Sequence, residues 1–154
     1  MSFFSSKKYS SPEKYAKKLI KVLKKEDVKK ITEFYITCEE LKLGIAKNIN
    51  DSLKKAKFVE RFTSEKCEEE LSKNRSRFED VLNKGKEMGI VWKLIKYKNI
   101  VYEIKTGDFG MKSIPEAKII FLSNGQLYYI KIKGLGNIDG SWNAGKIYGP
   151  YLKE

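Results

Sequence analysis

Several groups of side chains in this sequence are of types that can bind or react. Trp92, Tyr102, Phe121, Tyr128 and Trp142 all fall in segments with the alternation of strands. A curved sheet could aim some of them into a cavity for an apolar ligand, with Trp142 closing one end; otherwise they fill the core. Tyr129, Lys131 and Lys133 line one face of a single segment. A basic sheet face bearing aromatic rings is how several single-strand nucleic-acid modules work, although the same pattern fits a plain solvent face. Arg75 and Arg77 follow an acidic cluster, Glu65, Glu68, Glu69 and Glu70. Paired carboxylates do glycoside chemistry only when held in a cleft, and on a polar helix they are partners of Lys and Arg at helical spacing.

The glycine-rich pieces are GDFG (residues 107–110) and GLGNIDG (residues 134–140). A phosphate loop needs a strand leading into a helix, and both pieces have strands as neighbours, so they read as turns. Asp139 could touch a cation, but a calcium loop needs several more acids at fixed spacing. Asp108 with a sheet tyrosine is the one enzyme-like pairing left. Histidine is absent from the chain, which excludes His-based triads, His general bases and His-ligated metals. Cys38 and Cys67 are too few for a zinc site and form no CxxC. Whether they pair is left open by the sequence. No metal and no cofactor is expected, and no catalytic residue is assigned.

The chain has 154 residues, 41% apolar and 12% aromatic, enough to bury the core of one domain. Its net charge is +12, which points to an anionic partner such as nucleic acid or an acidic protein. Of the 32 basic residues only Arg61, Arg75 and Arg77 are arginine. Lysine is a flexible point charge without the planar fork that reads bases, and a lysine-rich profile also arises from codon bias.

The elements that must position these groups change character at residue 90. Residues 1–10 read as a flexible tail and 11–154 as one domain, helical over 11–89 and a sheet over 90–148. Ser11-Pro12-Glu13 starts a helix, with Ser as N-cap and Pro at its first position. Asp27 is placed to cap a second helix continuing through Val28, Ile31 and Phe34. A long helical region covers 52–88, with an interruption expected near Thr63-Ser64 and Gly85 and Gly89 closing it. From Ile90 the period becomes two: a strand over 90–95, a turn at Lys98-Asn99, and a strand over 100–105. A third strand opens at Ala117. Asn124-Gly125 is a type I′ hairpin signal. Gly134-Leu135-Gly136 is expected to turn the chain before a short strand carrying Trp142. No apolar run is long enough for a membrane-spanning helix. The start could belong to an exported protein whose signal was removed, which would place it in the envelope or outside the cell, or to a cytoplasmic one.

Helices first and an antiparallel sheet after them mean α+β, with N-terminal helices on a curved sheet of four to five strands. Three segments, SPEKYAKKLIKVLKKED, MGIVWKLIKYK and the hairpin ending at Gly140-Ser141-Trp142, resemble the NTF2-like (cystatin-like) superfamily, notably its small exported bacterial lipoprotein-type members. The resemblance spans residues 11–145. It implies a cone-shaped sheet, a cavity between helices and sheet, and a homodimer through the outer face. Enzymes of that superfamily use Asp/His or Tyr/Asp sets, and this chain offers no His to match. The expected function is therefore a non-catalytic binding or interaction module holding an apolar ligand. The alternative is nucleic-acid or acidic-partner binding through lysines, with Arg75, Arg77, Lys131 and Lys133 as its surface candidates.

Overall fold

A computed structural model describes residues 9–30, 52–60, 64–107, 110–138, 140–143 and 145–154. The architecture is α+β: helices packed against a curled antiparallel sheet. Helix α1 (Pro12–Lys25) begins as its sequence dictates, with Ser11 Oγ accepting the Lys14 amide at 3.2 Å and Pro12 at the first helical position. It ends on Glu26, whose left-handed backbone (φ 50°) lets the amides of Glu26 and Asp27 close onto the carbonyls of Leu23 and Val22. Its buried face is Tyr15, Ala16, Leu19, Ile20 and Leu23. Asp27 caps a turn over Val28 to Lys30, its Oδ1 accepting the Lys30 amide at 3.3 Å. The helical stripe expected beyond it, through Ile31 and Phe34, lies outside the described residues.

Helix α2 (Ser52–Glu60) and helix α3 (Ser64–Glu87) follow. The interruption expected near Thr63-Ser64 bears on residues 61–63, which lie outside those described. The acidic cluster sits on the exposed first half of α3, where Glu70 pairs with Lys73 at 3.8 Å, as a solvated helix face should. Cys67 is disulfide-bonded; Cys38 lies outside the described residues. Gly89 (φ 84°) ends the helix as expected, but Gly85 does not. It lies inside α3, and a Cβ there would come within 2.1 Å of Trp92 Cζ2. Gly85 makes room for the indole.

That contact changes the start of the sheet. The alternation at Ile90, Trp92 and Leu94 predicts a strand, yet Trp92–Leu94 is a 3-10 turn. The indole, 2% exposed, lies against Gly85 and donates Nε1–H to Leu82 O at 2.9 Å. The chain therefore docks onto α3 before it can enter the sheet, and strand β1 starts late, at Lys96–Tyr102. It also runs through Lys98-Asn99, where a turn is expected. The register slips between Tyr97 and Asn99, so Lys98 forms a bulge rather than a turn.

Among the described residues the sheet has six strands, against the four or five expected. After β1 come β2 (Lys105–Thr106), β3 (Lys112–Ser123), β4 (Gln126–Ile138), β5 (Ser141–Asn143) and β6 (Lys146–Leu152). The long β3–β4 hairpin turns at Asn124-Gly125, both at positive φ, as a type I′ turn requires. β1 and β2 pair with one side of β3, and β6 and β5 with the far side of β4. Gly134 does not turn the chain. It is a corner within β4 (φ 72°), opposite Pro115, where the outer partner changes from β6 to β5. The sheet thus extends past the expected limit at 148, to Leu152.

The core lies between the inner sheet face and α1 and α3. It joins Leu19 and Leu23 to Phe78, Val81, Ile119, Phe121, Ile130 and Ile132. The expected tail also contributes. Tyr9 is 5% exposed, stacks edge-on against Tyr15, and pairs with β5 through Trp142 N–H to Tyr9 O (2.9 Å) and Tyr9 N–H to Ser141 Oγ (3.3 Å). Tyr9 is therefore part of the folded domain, because an amide pairing with β5 and a buried ring hold it in place.

Candidate functional site

The four aromatic cavity candidates separate. Trp92 is held under α3 and packs against Phe121, whose ring stacks on Tyr128 (5.8 Å between centroids in each case). Trp142 is 4% exposed, at the other end of β4, against Tyr9. Tyr102 is half-buried and donates its hydroxyl to Glu13 Oε1 at 2.6 Å, joining β1 to the first turn of α1. These side chains are used for packing and cross-bracing. Among the described residues, no buried side-chain nitrogen or oxygen lacks a partner, and no group of three potential metal ligands occurs.

The Glu13 hydrogen bond raises the Tyr102 phenol above its ordinary value of 10.0, with burial adding to it; burial, then the Glu13 charge, raises Tyr97. A raised folded pKa means that the folded state keeps its proton longer than the unfolded one. The stability this contributes is present below about pH 10 and is lost as pH climbs through the folded value. Tyr102→Phe should therefore flatten the alkaline loss of stability, read as the change in urea midpoint between pH 9 and pH 11. Identical changes in both proteins would show that this contact does not govern the alkaline limb.

The outer sheet face has an organisation that the inner one lacks. Residues that point away from the core form rows across the strands, fixed by the register. One row is Ile120, Tyr129 and Tyr151; the next is Val101, Lys118, Lys131 and Tyr148; the third is Glu116, Lys133 and Lys146. Three of the four lysines in these rows lean diagonally, one row over and one strand across, onto a ring. Lys118 lies 5.0 Å from the Tyr129 centroid, Lys131 5.2 Å from Tyr151, and Lys133 5.7 Å from Tyr148. Helix α3, packed along β6, adds Arg77 at 5.9 Å from Tyr148 and Lys84 at 4.3 Å from Tyr151. Tyr129 and Tyr151 meet at 5.1 Å.

Cations over tyrosine faces at these distances are favourable, by about 0.5–1 kcal/mol each at exposed sites. Beneath them Ile120 is 6% exposed although it faces away from the core, so this face has its own small apolar floor. The acid in these rows, Glu116, pairs with Lys131 at 3.6 Å. Lysine ammoniums and three half-exposed tyrosine rings thus share one surface.

Of the basic candidates, Lys131, Lys133 and Arg77 belong to this surface. Arg77 is oriented by Asn74, whose Oδ1 it reaches at 2.7 Å. Arg75 is exposed on α3 and makes none of these ring contacts. Tyr148, Tyr151, Lys84 and Lys118 were not singled out by sequence. What brings them together is long-range: the pairing of β6 with β4 for Tyr148 and Tyr151, that of β3 with β4 for Lys118, and the packing of α3 along β6 for Lys84. Gly107 N–H bonds Met111 O at 2.8 Å between β2 and β3, and Gly140 N–H bonds Asn137 Oδ1 at 3.0 Å between β4 and β5, but residues 134–138 of the second glycine piece belong to β4 rather than to a turn. Asp108 and Asp139 lie outside the described residues.

Comparison with protein-family models, curated proteins and solved structures finds no match to this chain. Among the described residues, no helix is long and apolar enough to cross a membrane. The functional reading therefore rests on the chain's own geometry.

Proposed function

We propose that this protein is a non-catalytic binding module that takes an anionic partner on the tyrosine–lysine face of its sheet. The observation that carries the reading is the repeated diagonal of lysine over tyrosine across β3, β4 and β6, extended by Arg77 and Lys84 of α3. The net charge of +12 supplies a long-range attraction toward such a partner. The alternative use of the aromatic residues, an apolar ligand held between helices and sheet, is less well supported, because Trp92 and Trp142 are packed into the core.

The NTF2-like relationship is a proposal carried by element order alone. A homodimer through the outer face is opposed by charge, since a two-fold contact would set like lysines against each other. The disulfide at Cys67 favours an oxidising compartment.

The reading is tested by titrating the oxidised protein with a labelled polyanion at 50 and 200 mM salt. With about five ion contacts, affinity should fall about 100-fold between the two, because each contact releases a counterion. Binding that ignores salt, or no binding to any polyanion at 50 mM, would remove this function.

A further inference from the structure

We infer that the occupant of this face is a single-stranded nucleic acid, bound by its phosphates and by the flat faces of its bases without regard to sequence. The inference rests on the anion-surface reading above and names the chemistry of the partner.

Charge alone does not distinguish a nucleic acid from an acidic polypeptide; the rings do. The face of a tyrosine ring is electron-rich, so a carboxylate gains nothing by lying over it. A ligand that matches both parts of the surface must carry anionic groups spaced by flat π surfaces. Tyr129, Tyr151 and Tyr148 are each covered by a lysine or arginine cation on a flexible stem. When a strand arrives, the ammonium can swing from the ring to a phosphate and leave the ring to a base. The exchange is favourable on both sides. Base stacking on an aromatic ring is stronger than an exposed cation–π contact, and the ammonium gains a full negative charge.

Two further features narrow the class. Among the cations over the rings, Arg77 alone is an arginine, and it is already engaged with Asn74. The bidentate fork that reads guanine is thus missing from the centre of the face, and sequence preference should be weak. A duplex hides its base faces inside the stack, so the rings add nothing to duplex binding. Single strands should be preferred.

The test uses fluorescein-labelled dT12, a 12-base-pair duplex, and poly-L-glutamate, with the oxidised protein at 100 mM salt. The single strand should bind at least 10-fold more tightly than either competitor. Tyr129→Leu and Tyr151→Leu should each weaken dT12 about 10-fold and leave poly-L-glutamate binding unchanged. Tyr129→Phe and Tyr151→Phe keep the ring and should bind like the parent. These conservative variants also decide the matter if a leucine variant fails to fold, since base stacking needs the ring and not the hydroxyl. Poly-L-glutamate or duplex binding as tight as dT12, or leucine variants with unaltered dT12 affinity, would overturn the single-strand inference and leave the anion surface standing. Failure of all three ligands to bind would overturn both.

Discussion

Trp92→Ala is expected to lower the unfolding free energy by about 3–5 kcal/mol, the usual cost of emptying a large aromatic site in a core. The loss combines three things. The indole is buried between α3 and the sheet. Its Nε1–H leaves Leu82 O without that donor. Its docking sets where β1 begins. Gly85 provides a sharper test of the same arrangement. Gly85→Ala should destabilise the parent by about 1–3 kcal/mol, because its Cβ would overlap the indole and neither partner can move far. In the Trp92→Ala background the same change should cost nothing or stabilise by about 0.5–1 kcal/mol, since alanine is the better helix former once the ring is gone. Denaturant midpoints for the four proteins of this cycle measure the coupling. An equal cost of Gly85→Ala in both backgrounds would mean that Gly85 is not there for the tryptophan.

The second large effect concerns binding. Replacing Lys118, Lys131 and Lys133 together by glutamine should reduce affinity for a polyanion about 100-fold at 100 mM salt. Each charge contributes about 1 kcal/mol at contact in water, and about 1.4 kcal/mol is tenfold in affinity. The variant should also lose about 1.5–3 kcal/mol of stability, the worth of three cation–π contacts at about 0.5–1 kcal/mol each. Glu116→Gln should act in the opposite direction and raise affinity several-fold, because it frees Lys131 from its carboxylate partner. Anisotropy titrations with thermal melts of the same samples check both. If the triple variant binds like the parent while folded, the lysines of this face are ordinary solvated charges.

The extent to which the sequence announced this molecule follows the range of the interactions involved. Ser11-Pro12 and Asn124-Gly125 were readable because capping and type I′ turns are decided within four residues. The α+β class was readable from the change of period at residue 90. Trp92 was read as a strand residue because its alternation is real; what decides its conformation is Gly85, on another element. The Lys98 bulge and the corner at Gly134 escaped for the same reason, being settled by the partner strands. The candidate site was half visible. Tyr129, Lys131 and Lys133 alternate along one strand, whereas Tyr148 and Tyr151 reach them only through the β4–β6 pairing, and Lys84 only through the docking of α3.

The link between Tyr9 and β5 spans 132 positions. On a ribosome, the first helix therefore emerges long before the strands that cover it. The apolar side of α1 packs against Trp92–Leu94, β1 and β5, and at about 5–20 residues per second the wait for them is on the order of 10 s. Through that interval the nascent chain displays an uncovered greasy stripe between lysines, a pattern that invites a holding chaperone. The fold closes as a clasp, with Tyr9 and β5 fastening together across 132 positions.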